Sequence, residues 1–121
     1  MEITTRVIDD IAIFRIEGDL TRATCDAPTL HDRVKTQLAD DKRKIIFNFE
    51  KAGFVDSFGV GQIIATYQSA QNLGGSFKLA SLPPRLLLTL KTTKIVPLIS
   101  AYPSEESALA SFAETSEPDG V

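Results

Sequence analysis

The segment Lys44-Ile45-Ile46-Phe47-Asn48-Phe49, with Val55-Asp56-Ser57-Phe58-Gly59-Val60-Gly61 close behind it, passes from one hydrophobic period to another. The first run is short, apolar and rich in β-branched and aromatic residues, the pattern of a buried strand. After it, Val60, Ile63, Ile64 and Tyr67 recur at i, i+3, i+4 and i+7, which is one face of a helix. Ser57 therefore stands at or near the first helical turn. Backbone N–H groups there lack intrahelical partners, and the positive end of the helix dipole favours an oxygen or an added phosphate.

Outward from this strand-to-helix switch the alternation continues. Glu2 to Ile8 and Ile11 to Glu17 read as two strands joined by a tight turn at Asp9-Asp10. Asp26 can cap a helix with Pro28 in its first turn, and Leu30, Val34 and Leu38 then fall on one face. Gly74-Gly75 ends the second helix, and Phe77 to Ala80 returns as a strand. Pro83-Pro84 opens a short helix carrying Leu86, Leu87 and Leu90. Val96 to Ser100 is expected as a final strand, placed at an edge by Pro97. Ser104, Glu105 and Glu106 mark the start of a last helix, with Ala108, Leu109 and Phe112 on its buried side. The order ββαβαβαβα predicts an α/β domain, one mixed or parallel sheet with helices packed on it. A chain of 121 residues has the length of one domain, expected over residues 1–113. Residues 114–121, polar and containing Pro118 and Gly120, are expected to form a flexible C-terminal tail.

A formal charge of −3 and a pI near 5.1 argue against direct nucleic-acid binding, which calls for a basic face. Lys42-Arg43-Lys44 reads as a solvated lead-in to the third strand. Cys25 and His31 are the only cysteine and histidine, which excludes an intrachain disulfide and a Cys/His zinc site within one chain. No metal and no cofactor are expected. The N-terminus carries no apolar signal core, and the apolar runs fall short of a membrane span, so a cytoplasmic protein with no membrane association is expected.

The chemistry of the central motif has several readings. A hydrolase elbow of the form Gly-x-Ser-x-Gly would need glycine where Val55 stands. A dinucleotide fingerprint would need a third glycine at Ile64, and no Gly-Lys-Ser/Thr sequence closes a phosphate loop. No catalytic residues are expected. Ser57 either caps the helix or is a modifiable hydroxyl, and Asp56 either caps, holds the turn, or faces a partner. Phe58 is either a core or staple residue or an exposed aromatic at an interface. Gly59 and Gly61 allow close approach, either of the helix to the sheet or of a partner's backbone. Cys25 reads as a small filler or loop thiol, and His31 as a solvated helix residue.

The pattern resembles the STAS family of anti-sigma factor antagonists, in which Asp-Ser-Ser-Gly-(Leu/Ile/Val)-Gly opens a helix after an apolar strand. Asp56, Ser57, Gly59, Val60 and Gly61 match that motif, and Phe58 replaces the second serine. Gly18-Asp19-Leu20 matches the family's Gly-Glu/Asp-Leu after the second strand, and Gly74-Gly75 before Phe77-Lys78-Leu79 matches its turn into the fourth, so the resemblance covers nearly the whole chain. It implies a small mixed sheet covered on one face by helices. It further implies that Ser57 is the phosphorylated residue and that Asp56, Ser57, Phe58, Gly59, Val60 and Gly61 form a partner surface. The implied partners are an anti-sigma factor serine kinase, bound in the unphosphorylated form so that a sigma factor is released, and a metal-dependent serine phosphatase that restores that form. The chain itself would be a monomer or weak dimer and no enzyme. Two other STAS roles fit the same motif, a stressosome-like scaffold subunit and a component of a lipid-transport complex.

Overall fold

Ile8 pairs directly with Ile11, so the first two strands meet across a two-residue turn in which Asp9 takes a φ of 55°. Aspartate is one of the few residues that adopt this left-handed conformation readily. The computed structural model describes residues 1–24 and 28–115. β1 (Glu2–Ile8) and β2 (Ile11–Leu20) form this antiparallel hairpin. From β2 onward the main sheet is parallel, in the order β1-β2-β3-β5-β6, with β3 at Lys44–Asn48, β5 at Ser76–Ala80 and β6 at Ser100–Tyr102. Helices α1 (Leu30–Ala39), α2 (Ser57–Asn72) and α3 (Pro84–Thr92), the last followed by the single turn α4 (Ile95–Leu98), make the crossovers.

Side-chain alternation assigns the two faces of the sheet. Ala12, Phe14, Ile16, Ile45, Phe47, Phe77 and Leu79 form the principal core with Leu30, Val34 and Leu38 of α1, Ile63 and Ala70 of α2, and Leu86 and Leu90 of α3. Phe47 is its centre, edge-on to Phe77 at 4.7 Å and to Phe14 at 5.8 Å. The expected cover of one face by helices is thus supplied by α1 to α4. The opposite face carries Ile11, Ile13, Ile46 and Ala80, and α5 (Glu105–Thr115) covers them with Ala108 and Phe112. Lys78 emerges on this second face, where its buried ammonium donates to Ser111 Oγ at 2.6 Å and lies 4.1 Å from the Phe112 ring centroid. Those contacts offset the desolvation of a buried charge.

Several boundaries differ from expectation. α1 starts at Leu30, and its N-cap is Thr29, not Asp26. Thr29 Oγ1 accepts from the Asp32 N–H at 3.1 Å, while Asp32 Oδ2 accepts from the Thr29 N–H at 3.0 Å. This reciprocal box satisfies two backbone donors, and Pro28 lies before the helix. Cys25 and Asp26 lie outside the described residues. β2 continues through Gly18-Asp19-Leu20, beyond the expected end at Glu17, and a short strand β4 (Ala52–Val55) pairs with that extension. The last strand is β6, not Val96 to Ser100. Pro97 follows a cis peptide in the α4 turn, offers no N–H to a ladder, and pairing with β5 begins only at Ser100 opposite Lys78. α5 runs to Thr115, two residues into the expected tail; residues 116–121 lie outside the described part.

Candidate functional site

The extension of β2 and strand β4 carry the chain to the start of α2. Gly18, with a φ of 86°, donates its N–H to Lys51 O at 3.0 Å, and the Phe54 N–H donates to Asp19 Oδ1 at 2.8 Å. A Cβ at Gly53 would strike the same Asp19 carboxylate, so β4 lies close against the end of β2. Leu20 pairs with Val55, and Leu20 O then accepts from the Asp56 N–H at 3.3 Å.

Asp56 is the N-cap of α2. Its backbone is extended, and Oδ1 accepts from the Gly59 N–H at 2.9 Å. Oδ2 accepts from the Arg22 N–H at 3.1 Å, which ties the helix start to the loop leaving β2. The Gly59 N–H, assisted by the Arg22 and Phe58 N–H groups and by the Arg22 guanidinium, holds the Asp56 carboxyl below its ordinary pKa against an opposing effect of burial. Of the readings open for Asp56, the capping one is therefore realised. The capping reading of Ser57 is not, because that role is taken one residue earlier.

Ser57 is the first residue of α2 and is exposed, and its hydroxyl makes no hydrogen bond among the described residues. Phe58 is half-buried, outside the fully buried core, and the Arg22 guanidinium carbon sits 5.4 Å from its ring centroid. Gly59 is buried, and a Cβ there would lie 2.5 Å from Leu20 O and 2.6 Å from Val55 Cγ1. Its lack of a side chain is therefore required by the approach of α2 to the β2 and β4 strands. Val60 is half-buried against the principal core, whereas Gly61 is exposed with open space where a Cβ would stand. The buried stripe of α2 is Gly59, Ile63, Thr66 and Ala70, rotated toward small residues, so Ile64 is 37% exposed although the apolar period grouped it with the core.

Two residues near this surface escaped sequence reading. Phe54, 52% exposed on β4, lies in a four-residue strand too short to show alternation; an aromatic beside Gly53, next to the serine motif, was its only mark. Arg22 is 34 residues from the carboxylate that binds its backbone, and no local pattern announces such a contact. His31 proves half-buried, not solvated. Its Nε2 is 2.7 Å from Ser69 Oγ, its backbone N–H donates to Gln62 Oε1 at 2.9 Å, and burial, with help from Lys35, lowers its pKa. Ser69 is twelve residues along α2 from Ser57, about 18 Å at 1.5 Å per residue, so the imidazole docks α1 on α2 and does not face Ser57.

A cavity of about 760 Å³ opens elsewhere, beside Arg15, Asn48, Ser81 and Glu105, and none of Asp56 to Gly61 lines it. Among the described residues no group of three or more His, Cys, Asp and Glu side chains is placed to hold a metal, and no helix is long and apolar enough to cross a membrane.

The sequence profile of the STAS domain matches residues 2–108. Among solved structures, the chain is similar to an anti-sigma-factor antagonist (STAS) domain protein from Planctomyces limnophilus, with TM-score 0.79, 15% identity, and 92% and 97% of the two chains covered. An anti-sigma factor antagonist from Mycobacterium paratuberculosis superposes with TM-score 0.78 at 20% identity over 91% of this chain and 92% of its own. The Bacillus cell fate determinant SpoIIAA, in its phosphorylated form, superposes with TM-score 0.74 at 19% identity over 92% and 99%. At such identities these likenesses establish the fold.

Proposed function

We propose that this chain, which belongs to the STAS domain family, acts as an anti-sigma factor antagonist whose switch is phosphorylation of Ser57. The observation that carries this reading is the division of labour at the start of α2. Asp56 caps α2 with Oδ1 and holds the Arg22 N–H with Oδ2, and the neighbouring Ser57 hydroxyl is left exposed and uncommitted among the described residues. In the unphosphorylated form, Asp56 to Gly61 would dock on an anti-sigma factor serine kinase and so release a sigma factor. The kinase would bring ATP. Ser57 Oγ attacks the γ-phosphorus, the bond to the bridging oxygen of ADP breaks, and the hydroxyl proton passes to a base on the kinase. The chain is the acceptor in this step and needs neither metal nor nucleotide of its own. A metal-dependent serine phosphatase would hydrolyse the phosphoserine and restore binding.

A phosphate brings roughly −1.5 to −2 charges at neutral pH. At the first turn of a 16-residue helix that charge meets the positive end of the dipole, so it is compatible with the host fold and acts on the docking surface. Incubating the chain with an anti-sigma serine kinase and ATP should add one phosphate, located at Ser57 by mass spectrometry. Full labelling of Ser57→Ala would overturn the assignment.

A further inference from the structure

Arg22 is exposed in the loop that leaves β2, and its two ends are held on either side of Ser57 in the chain. Its backbone N–H is bound to Asp56 Oδ2 at 3.1 Å, and its guanidinium carbon lies 5.4 Å from the Phe58 ring centroid. The residues before and after the serine are thus both in contact with one arginine. Its base is anchored, while its exposed side chain lies over the half-buried Phe58 ring.

We propose that Arg22 reads the modification state of Ser57. With the bare hydroxyl the guanidinium covers the Phe58 ring; with phosphoserine it swings onto the phosphate and uncovers the ring. The inference rests on Ser57 being the modified residue, and it adds a second, structural consequence to the added charge. The planar guanidinium fork matches phosphate oxygens bidentately, and such charge-assisted bonds are stronger than a cation–π contact at an exposed site. The phosphate would also stand beside the Asp56 carboxylate, whose oxygens are already occupied by the Gly59 and Arg22 N–H groups. A cation brought between the two anions relieves their repulsion. Modification would then change the docking surface twice, by placing charge on it and by baring an aromatic side chain that Arg22 had covered.

The test uses the full chain with phosphoserine genetically encoded at position 57, so that no kinase is involved, compared by NMR with the bare protein. The Arg22 Hε resonance should move downfield, and the Phe58 ring resonances should move to the positions they occupy in the unmodified Arg22→Gln protein. In Arg22→Gln, encoded phosphoserine should leave the Phe58 ring nearly unshifted; circular dichroism confirms that each variant is folded. An unmoved Arg22 Hε, or the same Phe58 shift in Arg22→Gln as in the parent, overturns the proposal. Kinase labelling that misses Ser57 would overturn the proposed function instead, and it leaves this measurement to stand on its own.

Discussion

Gly59 and Gly61 stand two residues apart in one helical turn and do opposite things. A Cβ at Gly59 would press on Leu20 O and Val55, whereas one at Gly61 meets nothing. In sequence the two were equivalent, since each only advertised the room that a missing side chain leaves. Gly59→Ala should therefore destabilise the domain by about 1–3 kcal/mol, the usual cost of overpacking, reduced by the better helix propensity of alanine. Gly61→Ala should stabilise it by up to about 1 kcal/mol through propensity alone. Urea denaturation of both variants separates the cases, and a destabilised Gly61→Ala protein would contradict the open geometry. If Gly61 serves a partner's close approach, the stabilised variant should also bind its kinase more weakly.

Among the elements, α2 owes its position to caps and contacts of two kinds. Its start is local: Asp56, three residues before Gly59, was one of two neighbouring capping candidates in the sequence, the other being Ser57. Its attachment is not local, because the second oxygen of that carboxylate holds Arg22, and Leu20 O holds Asp56. Ser57→Glu places a negative charge where the helix dipole favours one. The variant should keep its far-UV circular dichroism spectrum and nearly its melting temperature while losing affinity for the kinase, and global unfolding would instead mark Ser57 as structural. α1 offers the contrasting case, a helix whose start was misplaced at Asp26 because Pro28 resembled a first-turn proline. Thr29 and Asp32 capture the terminus by bonding each other's backbone, a choice between neighbouring polar residues that rests on geometry finer than residue type.

Across the whole molecule, Glu105 fastens α5 to the far face of the sheet. Its carboxylate, 12% exposed, accepts from Arg6 of β1, twice from Arg15 of β2, and from Asn48 at the end of β3, all at 2.8–3.0 Å. The Arg15 hydrogen bonds chiefly, with Asn48 and the charges of both arginines, hold its pKa below the ordinary glutamate value of 4.5 despite burial. A carboxyl with a depressed folded-state pKa contributes stability that is complete above its unfolded value and lost as the pH falls through the folded one. Acidification below about pH 4.5 should therefore weaken the fold, with Asp56 and Asp32 acting in the same sense. Glu105→Gln should flatten the decline in urea midpoint between pH 5 and pH 3, roughly the window in which carboxylates titrate, and an unchanged slope would count against the clamp. The sequence by itself determined the succession β1, β2, α1, β3, α2, β5, α3 and α5, the hairpin at Asp9-Asp10, and the serine at a helix start. Those features depend on periodicity and capping within a few residues. Only the tertiary structure decided that β4 exists, that Arg22 reaches Phe58, that Ile64 faces outward, and that Glu105 joins three strands to α5. Each of these depends on which distant segments the sheet register brings side by side, and residue spacing along the chain carries no record of that.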